Sequence, residues 1–431
     1  MKIQRLLVLM FLGIMSSLCG AAEPGAVKSW KQKEFIITAW APPPAEDKVL
    51  AAYARDGYNL ILVSHVKDLD VAAKHGLRAM LSNVELLNPA TMENPAKRKQ
   101  LDAFIKKVKN HPALESYYIV DEPSAPAFPG LAKLVAFVRE RDPAHLAYIN
   151  LYPTYAPEGR PALGVTAANA ERAKIGYPKN LQGVGRNDRR VLAYREYLKQ
   201  YVEIVQPDLI SYDHYHFMKT DGNQYFLNLA LIRLAAVEAK KPFLNIIQAN
   251  NFLGKWRLPN AREMRFLVFT TMAYGGRGIS YFTHWGPKSY HGLYQDGKRT
   301  PLADDVAVLN AEIGKIGSAL MILDSVGVYH TAPLPYGAQA IPADAPVRVL
   351  GSGEFVVGLF GKAGRASAFL VVNRNYKQET EAVLKISIPG KKLQEFDRKT
   401  GKWLDGETLG VARTVKTKLN PGDGRLFRVT N

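Results

Sequence analysis

Phe35-Ile36-Ile37-Thr38-Ala39-Trp40-Ala41-Pro42-Pro43-Pro44 decides the architecture of this chain. Five apolar or β-branched residues predict a buried strand, and three prolines end it in a stiff extended turn. A doubly wound open sheet would carry a glycine-rich phosphate loop at this junction, and none stands here. Outward from this strand, short apolar runs alternate with segments of helical period eight times between Glu34 and Leu323. Such runs predict parallel strands joined by crossover helices.

The strands are expected at Phe35–Ala39, Asn59–Ser64, Arg78–Ser82, Ser116–Val120, Ala147–Leu151, Leu209–Asp213, Phe243–Gln248 and Gly278–Thr283. Helices are expected at Ala45–Arg55, Ala96–Lys109, Pro129–Arg141, Arg190–Val205, Gln224–Ala239, Ala261–Tyr274 and Ala303–Leu320. Stops such as Asp56-Gly57, His75-Gly76 and Gly275-Gly276 punctuate them. Eight βα units in roughly 290 residues are the size and count of a (β/α)8 barrel. Past Leu323 the helical period gives way to short alternating runs at Phe355–Phe360, Ala368–Asn373, Ala382–Ile388 and Leu426–Val429. These predict an antiparallel β-sandwich over 324–431. The longest break within the barrel runs from Pro153 to Arg186; following a strand, it is expected to shape a binding cleft.

The 431 residues are 47% hydrophobic and 22% charged, which excludes a disordered, collagen-like or coiled-coil protein. Met1 to Ala22 reads as a signal peptide: Lys2 and Arg5, the apolar run Leu6 to Met15, then Gly20-Ala21-Ala22 before Glu23. Ser16 and Leu18 disfavour a lipid anchor on Cys19, the only cysteine. The barrel is thus expected over 23–323, in an exported protein, periplasmic or secreted. No other apolar run approaches the roughly 20 residues of a membrane span, so no stable membrane insertion is expected after cleavage. Without Cys19, a disulfide framework and a cysteine nucleophile are excluded. The net charge is +18, from 57 Lys and Arg against 39 Asp and Glu. The basic residues are scattered among acids and no nucleic-acid motif accompanies them, so nucleic acid is not the expected partner. The balance instead favours an anionic polysaccharide.

Function in such a barrel sits at the carboxyl ends of the strands. The acids found there are few. Strand four ends Tyr117-Tyr118-Ile119-Val120-Asp121-Glu122-Pro123, strand six ends Tyr212-Asp213-His214-Tyr215, and Glu85 follows strand three. Strand seven ends Gln248-Ala249-Asn250-Asn251, with no acid from Ala239 to Arg262. Adjacent acids leaving one strand point apart, and their shared charge raises at least one pKa. A carboxyl group kept protonated near neutrality is what a leaving glycosidic oxygen requires.

Asp121-Glu122-Pro123 resembles the Asn-Glu-Pro signature of the large glycoside hydrolase clan that carries its acid/base on strand four and its nucleophile on strand seven. Trp285 at the end of strand eight fits that resemblance, which spans the barrel. It implies that Glu122 is the general acid/base. Gln248, however, stands where the nucleophilic Glu should be, and an amide cannot form a glycosyl ester. Two arrangements compensate. In one, Asp213 is base or nucleophile opposite Glu122; carboxyl groups about 5 Å apart would give retention, and about 6.5 to 9.5 Å inversion. In the other, Asp121 and Glu122 act together on an N-acetylhexosamine, whose acetamido group attacks. Tyr212-Asp213 resembles the Tyr-Asp of chitinase-like barrels, in which the Tyr contacts the acetamide.

Trp40, Tyr152, Tyr155, Tyr215, Tyr281 and Trp285 fall at or just beyond strand ends, where flat rings can stack on pyranose faces. Asn150, Gln248, Asn250 and His284 are candidate polar contacts. His214 and His216 could share a strand face but lack a third ligand by pattern, so no metal or other cofactor is expected. No Gly-x-Ser-x-Gly elbow supports serine catalysis. The expected activity is hydrolysis of O-glycosidic bonds in a polysaccharide or oligosaccharide. A carbohydrate-binding barrel without turnover, or a structural envelope protein, are the readings of other classes.

Overall fold

The computed structural model describes residues 29–159, 161–185, 188–286 and 290–431. The expected signal peptide, Cys19, Glu23 and Arg186 lie outside the described residues. The chain runs β1 (Ile36–Trp40), α1 (Asp47–Arg55), β2 (Leu60–Val63), α2 (Asp68–Lys74), β3 (Arg78–Ser82) and α3 (Pro95–Val108). It continues through β4 (Leu114–Asp121), α4 (Phe128–Arg141), β5 (Leu146–Leu151), α5 (Ala167–Arg172), α6 (Arg189–Gln200) and β6 (Ile210–His214). Then follow α7 (Tyr225–Ala239), β7 (Phe243–Gln248), α8 (Ala261–Ala273), β8 (Gly278–Phe282), the short pair β9 (Tyr294–Gln295) and β10 (Lys298–Arg299), and α9 (Pro301–Met321).

Strands β1 to β8 form one parallel sheet in the order β1-β8-β7-β6-β5-β4-β3-β2. The seam between β1 and β2 is closed by Asn59. Its backbone N–H donates to Ile37 O, its side-chain oxygen accepts from Ile37 N–H, and its amide donates to Phe35 O. One asparagine so replaces a strand ladder and completes the (β/α)8 barrel. The expected helix Arg190–Val205 continues as one π turn, Tyr201–Val205. Helix α2, expected from the His75-Gly76 stop without bounds, spans only seven residues, too few for periodicity to mark its start.

Inside the barrel, Ile36, Leu60, Met80, Leu146, Tyr148, Leu244 and Ile246 form a packed plug. A larger core lies between the strands and the helices. The interior is therefore solid, a packed core and not a pore, up to the mouth at the carboxyl ends of the strands.

The C-terminal part contains β11 (Asp324–His330), β12 (Val347–Leu350), β13 (Phe355–Lys362), β14 (Arg365–Asn373), β15 (Thr380–Ile386) and β16 (Lys392–Asp397). It ends with β17 (Lys402–Trp403), β18 (Glu407–Thr408), β19 (Thr414–Leu419) and β20 (Gly424–Thr430). A seven-stranded antiparallel sheet faces the three-stranded sheet β12-β15-β19 across Phe355, Val357, Phe369, Leu384 and Phe427. The alternation expected for Phe355–Phe360 is not found: every residue from Phe355 to Gly361 is buried. Its second face does not meet water, because Val356 and Phe360 join Leu370 and Val372 against the barrel core. Gly358 permits this approach, since a Cβ there would stand 2.3 Å from Ala273 O on α8.

Asp423 locks the two parts together. It accepts from Arg398 of the sheet at 2.6 and 2.8 Å and from Arg265 of α8 at 2.9 and 3.1 Å. Burial opposes its ionisation, but the Arg398 hydrogen bonds and both guanidinium charges hold its carboxyl below the usual range. Asp423→Asn is expected to leave two guanidinium groups underpaired and to cost about 3 kcal/mol of unfolding free energy at pH 7. Because the folded pKa is depressed, the cost should be present above the unfolded value and fade below about pH 4, as measured by urea denaturation across pH.

Candidate active site

Strand β4 reaches the mouth through a β-bulge. Tyr118 pairs with Tyr148 and Val120 with Ile149, so Ile119 is the extra residue. The bulge moves the alternation by one and sets Asp121 beside Asn150 of β5, on the inward face. Glu122 then adopts φ +44°, a left-handed conformation rare for a side-chain-bearing residue and least expected before proline. Two hydrogen bonds hold it there: Glu122 N–H to Asn150 O at 2.9 Å, and Tyr197 O–H to Pro123 O at 2.7 Å. Strain of this kind costs about 1–3 kcal/mol and persists where surrounding structure imposes it.

Asn150 organises the carboxyl groups. Its amide donates to Asp121 Oδ1 at 3.0 Å and to Asp213 Oδ1 at 2.9 Å. Its oxygen accepts from Ser211 Oγ, itself bonded to Tyr148. Asp213 on β6 is buried, close enough to Glu122 for the charge of one to act on the other. Burial, then the charge of Asp121, pushes Glu122 up to about 7. Burial and the charges of Glu122 and Asp121 push Asp213 well above the carboxylate range. Asp121 is surface-exposed, yet crowding around its carboxyl raises it too. Glu122 and Asp213 therefore keep a proton between them near neutrality. None of the three acids makes a salt bridge to a basic side chain among the described residues.

Rings line the approach. Trp40 meets Tyr118 edge-on at 5.8 Å, and Tyr118 stacks on Tyr148. Across the mouth, Tyr215 packs on Trp256 at 4.4 Å and on Phe282 at 5.0 Å. Phe252 joins Trp256 to Tyr290. Tyr152 and Tyr155 sit in the loop after β5, near enough to the acids that their charge, after burial, raises both phenols.

Several expected contacts lie elsewhere. Tyr212 and Tyr281 have no exposed surface and turn outward beneath the helices, Tyr281 bonding Asn310 of α9. Alternation along a strand decides this, because each neighbours an inward residue. Gln248 is also fully buried, but as a strut. Its oxygen accepts from Phe217 N–H, and its nitrogen donates to the carbonyls of Phe217, Asn250 and Arg257. Asn250 bonds Thr283 and caps Phe252. His284 is buried against Tyr53, Tyr58 and Tyr294. Trp285 is half-buried with its ring on Tyr294. His214 and His216 do not converge on a metal: among the described residues no three ligand-type side chains do. Burial holds His214 down to about 3 and His216 to about 4. The structure thus brings together Asp121, Glu122, Asn150 and Asp213, with Trp40, Tyr152 and Tyr215 around them.

Trp256 and Phe252 escaped the sequence reading, which searched the β7–α8 loop for acids; two aromatics within Asn251 to Trp256 were the available signal. Asn228 on α7 escaped too. It receives Thr154 N–H at 2.9 Å, contacts His214, and donates to Tyr194, so it anchors the loop after β5. A helical asparagine carries no such signal in sequence.

No protein-family profile matches the sequence, and no curated protein sequence matches it. Solved structures do. The chain is similar to a glycoside hydrolase at 12% identity, over 92% of this chain and 93% of that one, with a TM-score of 0.55. It is similar to a family 5 glycoside hydrolase from Bacteroides vulgatus at 12% identity, covering 92% and 89%, with a TM-score of 0.53. A family 42 β-galactosidase from G. stearothermophilus matches at 10% identity, covering 92% and 98%, with a TM-score of 0.54. At such identities the likeness establishes the fold: a glycoside-hydrolase-type (β/α)8 barrel with appended β-strands.

Because Glu122 binds its proton more tightly in the folded state, folding loses stability as pH rises from about 4.5 towards 7. Glu122→Gln is therefore expected to raise the unfolding free energy at pH 8 by about 1 kcal/mol, discounted for partial exposure, with no gain at pH 4. Denaturant titration at the two pH values reads the difference.

Proposed function

We propose that this chain is a glycoside hydrolase in which Glu122 protonates the leaving glycosidic oxygen. The observation that carries the reading is the gathering of Asp121, Glu122 and Asp213 around Asn150. It gives a proton-retaining carboxyl pair at the barrel mouth, among rings suited to stacking on sugars. Asp213 helps keep the pair protonated, and the charge of Asp121 favours positive charge developing on the sugar ring.

One mode of attack is favoured. Strand β7 offers only the fully engaged Gln248, and Asp213 is buried with one oxygen on Asn150, so neither is placed to attack the anomeric carbon. This supports attack by the 2-acetamido oxygen of an N-acetylhexosaminide. As Glu122 transfers its proton to the leaving oxygen, the acetamido oxygen bonds to the anomeric carbon and Asp121 balances the oxazolinium charge. Water then adds to that carbon, giving its proton to Glu122, and the acetamide is released with configuration retained. Export, and the division into a barrel over 23–323 and a sandwich over 324–431, belong to the same proposal. Among the described residues no helix is long and apolar enough to cross a membrane.

A panel of nitrophenyl glycosides with and without a 2-acetamido group tests it. Turnover is expected for acetamido substrates, with kcat/KM falling above about pH 7 as Glu122 loses its proton. Glu122→Gln should lower kcat/KM by about 10³-fold or more. Turnover of plain hexosides alone would overturn the acetamido reading but keep the hydrolase. Sugar binding with no turnover across the panel would make the barrel a binding module.

A further inference from the structure

The far end of the barrel, where β6, β7 and β8 begin, holds a chamber of about 1010 Å³ between the floor and the C-terminal sheet. We propose that this chamber binds a carboxylated or sulfated saccharide, at a site separate from the acidic mouth. Its walls carry a surplus of cations, backed by the buried rings of Trp30, Phe243 and Tyr274. Lys31, Arg233, Lys240, Lys241 and Arg277 face only two acids, Asp208 and Asp324. Asp208 is already occupied by Arg139 and Lys241, and Asp324 is exposed.

Arg233 and Arg277 carry the argument. Arg233 donates from Nε to Ser325 Oγ and from Nη2 to Ser325 O, both neutral acceptors. Arg277 donates to the carbonyls of Leu320 and Leu323. Both guanidinium groups so flank one stretch of chain, and neither has a carboxylate hydrogen-bond partner among the described residues. Burial lowers the pKa of each, opposed at Arg277 by the charge of Asp324 and at Arg233 by phenols alone. Nη1 of Arg233 makes no hydrogen bond among the described residues, which leaves a donor for an incoming oxyanion. Buried charges are ordinarily paired, and a ligand that supplies the anion completes the pair. The volume suits a small oligosaccharide rather than a bare ion, and polar Ser29, Gln32 and Ser325 beside the charged donors suit the hydroxyl groups of a sugar bearing an acid group.

Calorimetric titration at low salt tests this, using digalacturonate, a sulfated heparin-type disaccharide, neutral maltose and sodium sulfate. At least one anionic disaccharide should bind with a Kd of about 1 mM or tighter, maltose should not bind here, and sulfate should bind more weakly. Arg233→Gln and the rim variant Lys240→Glu should each weaken binding about tenfold, while Glu122→Gln leaves it unchanged. Lys240 is exposed, so that variant decides the matter if Arg233→Gln fails to fold. Equal binding of maltose, indifference to both variants, loss on Glu122→Gln, or no binding would overturn the proposal. Sulfate binding as tightly as the disaccharides would reduce the chamber to a simple anion site and overturn its assignment to a sugar.

Discussion

Asn150 spends both hydrogens of one amide on two carboxyl groups, and the candidate site depends on that division. Asp121 arrives from β4 and Asp213 from β6, so the asparagine on β5 fixes the spacing between strands that are not themselves neighbours. It supplies hydrogen bonds but no positive charge. Had a guanidinium stood in its place, all three acids would ionise as in an ordinary ion-pair network. With a neutral donor, burial and mutual repulsion win, and a proton stays on the Glu122–Asp213 pair near neutrality. The barrel plug beneath supports this. Tyr148 and Ser211 fix the oxygen of Asn150, so its amide cannot turn to an alternative arrangement.

The backbone contributes as much as the side chains. The bulge in β4 and the left-handed Glu122 work in series: the first turns Asp121 inward, the second swings the next residue toward Asp213. Neither is needed to build a barrel, and both carry a cost that the surrounding hydrogen bonds offset. The result concentrates negative charge at one end of a strongly basic molecule, while cations outnumber acids at the other. Such separation gives the two ends of one scaffold opposite electrostatic character.

The aromatic residues show how unevenly sequence position translates into role. Trp40, Tyr152 and Tyr215 stand around the mouth, whereas Tyr212 and Tyr281 hold helices to the outside of the sheet. All five lie within or just after strands, and parity along the strand is what turns Tyr212 and Tyr281 outward. Gln248 marks a different boundary. It occupies the strand-seven position that a nucleophile would take in the glycoside hydrolase clan, yet its four hydrogen bonds go to loop backbone. Its amide shapes the β6 and β7 loops, which in turn present Tyr215 and Trp256.

Periodicity alone determined that eight parallel strands alternate with helices and that antiparallel strands follow, because each strand buried on two faces must be continuously apolar and each helix must repeat its buried stripe. The paired acids at the end of β4 were legible for the same reason: charge seldom terminates an apolar run without cause. Tertiary structure decided the rest. A one-residue bulge, the sign of a single φ angle and the choice of Asn59 to close the seam leave no pattern in composition or spacing. Whether a ring at a strand end meets the mouth or the helices, and whether a carboxyl group keeps its proton, depends on neighbours brought from other strands. Those distances do not exist until the barrel closes.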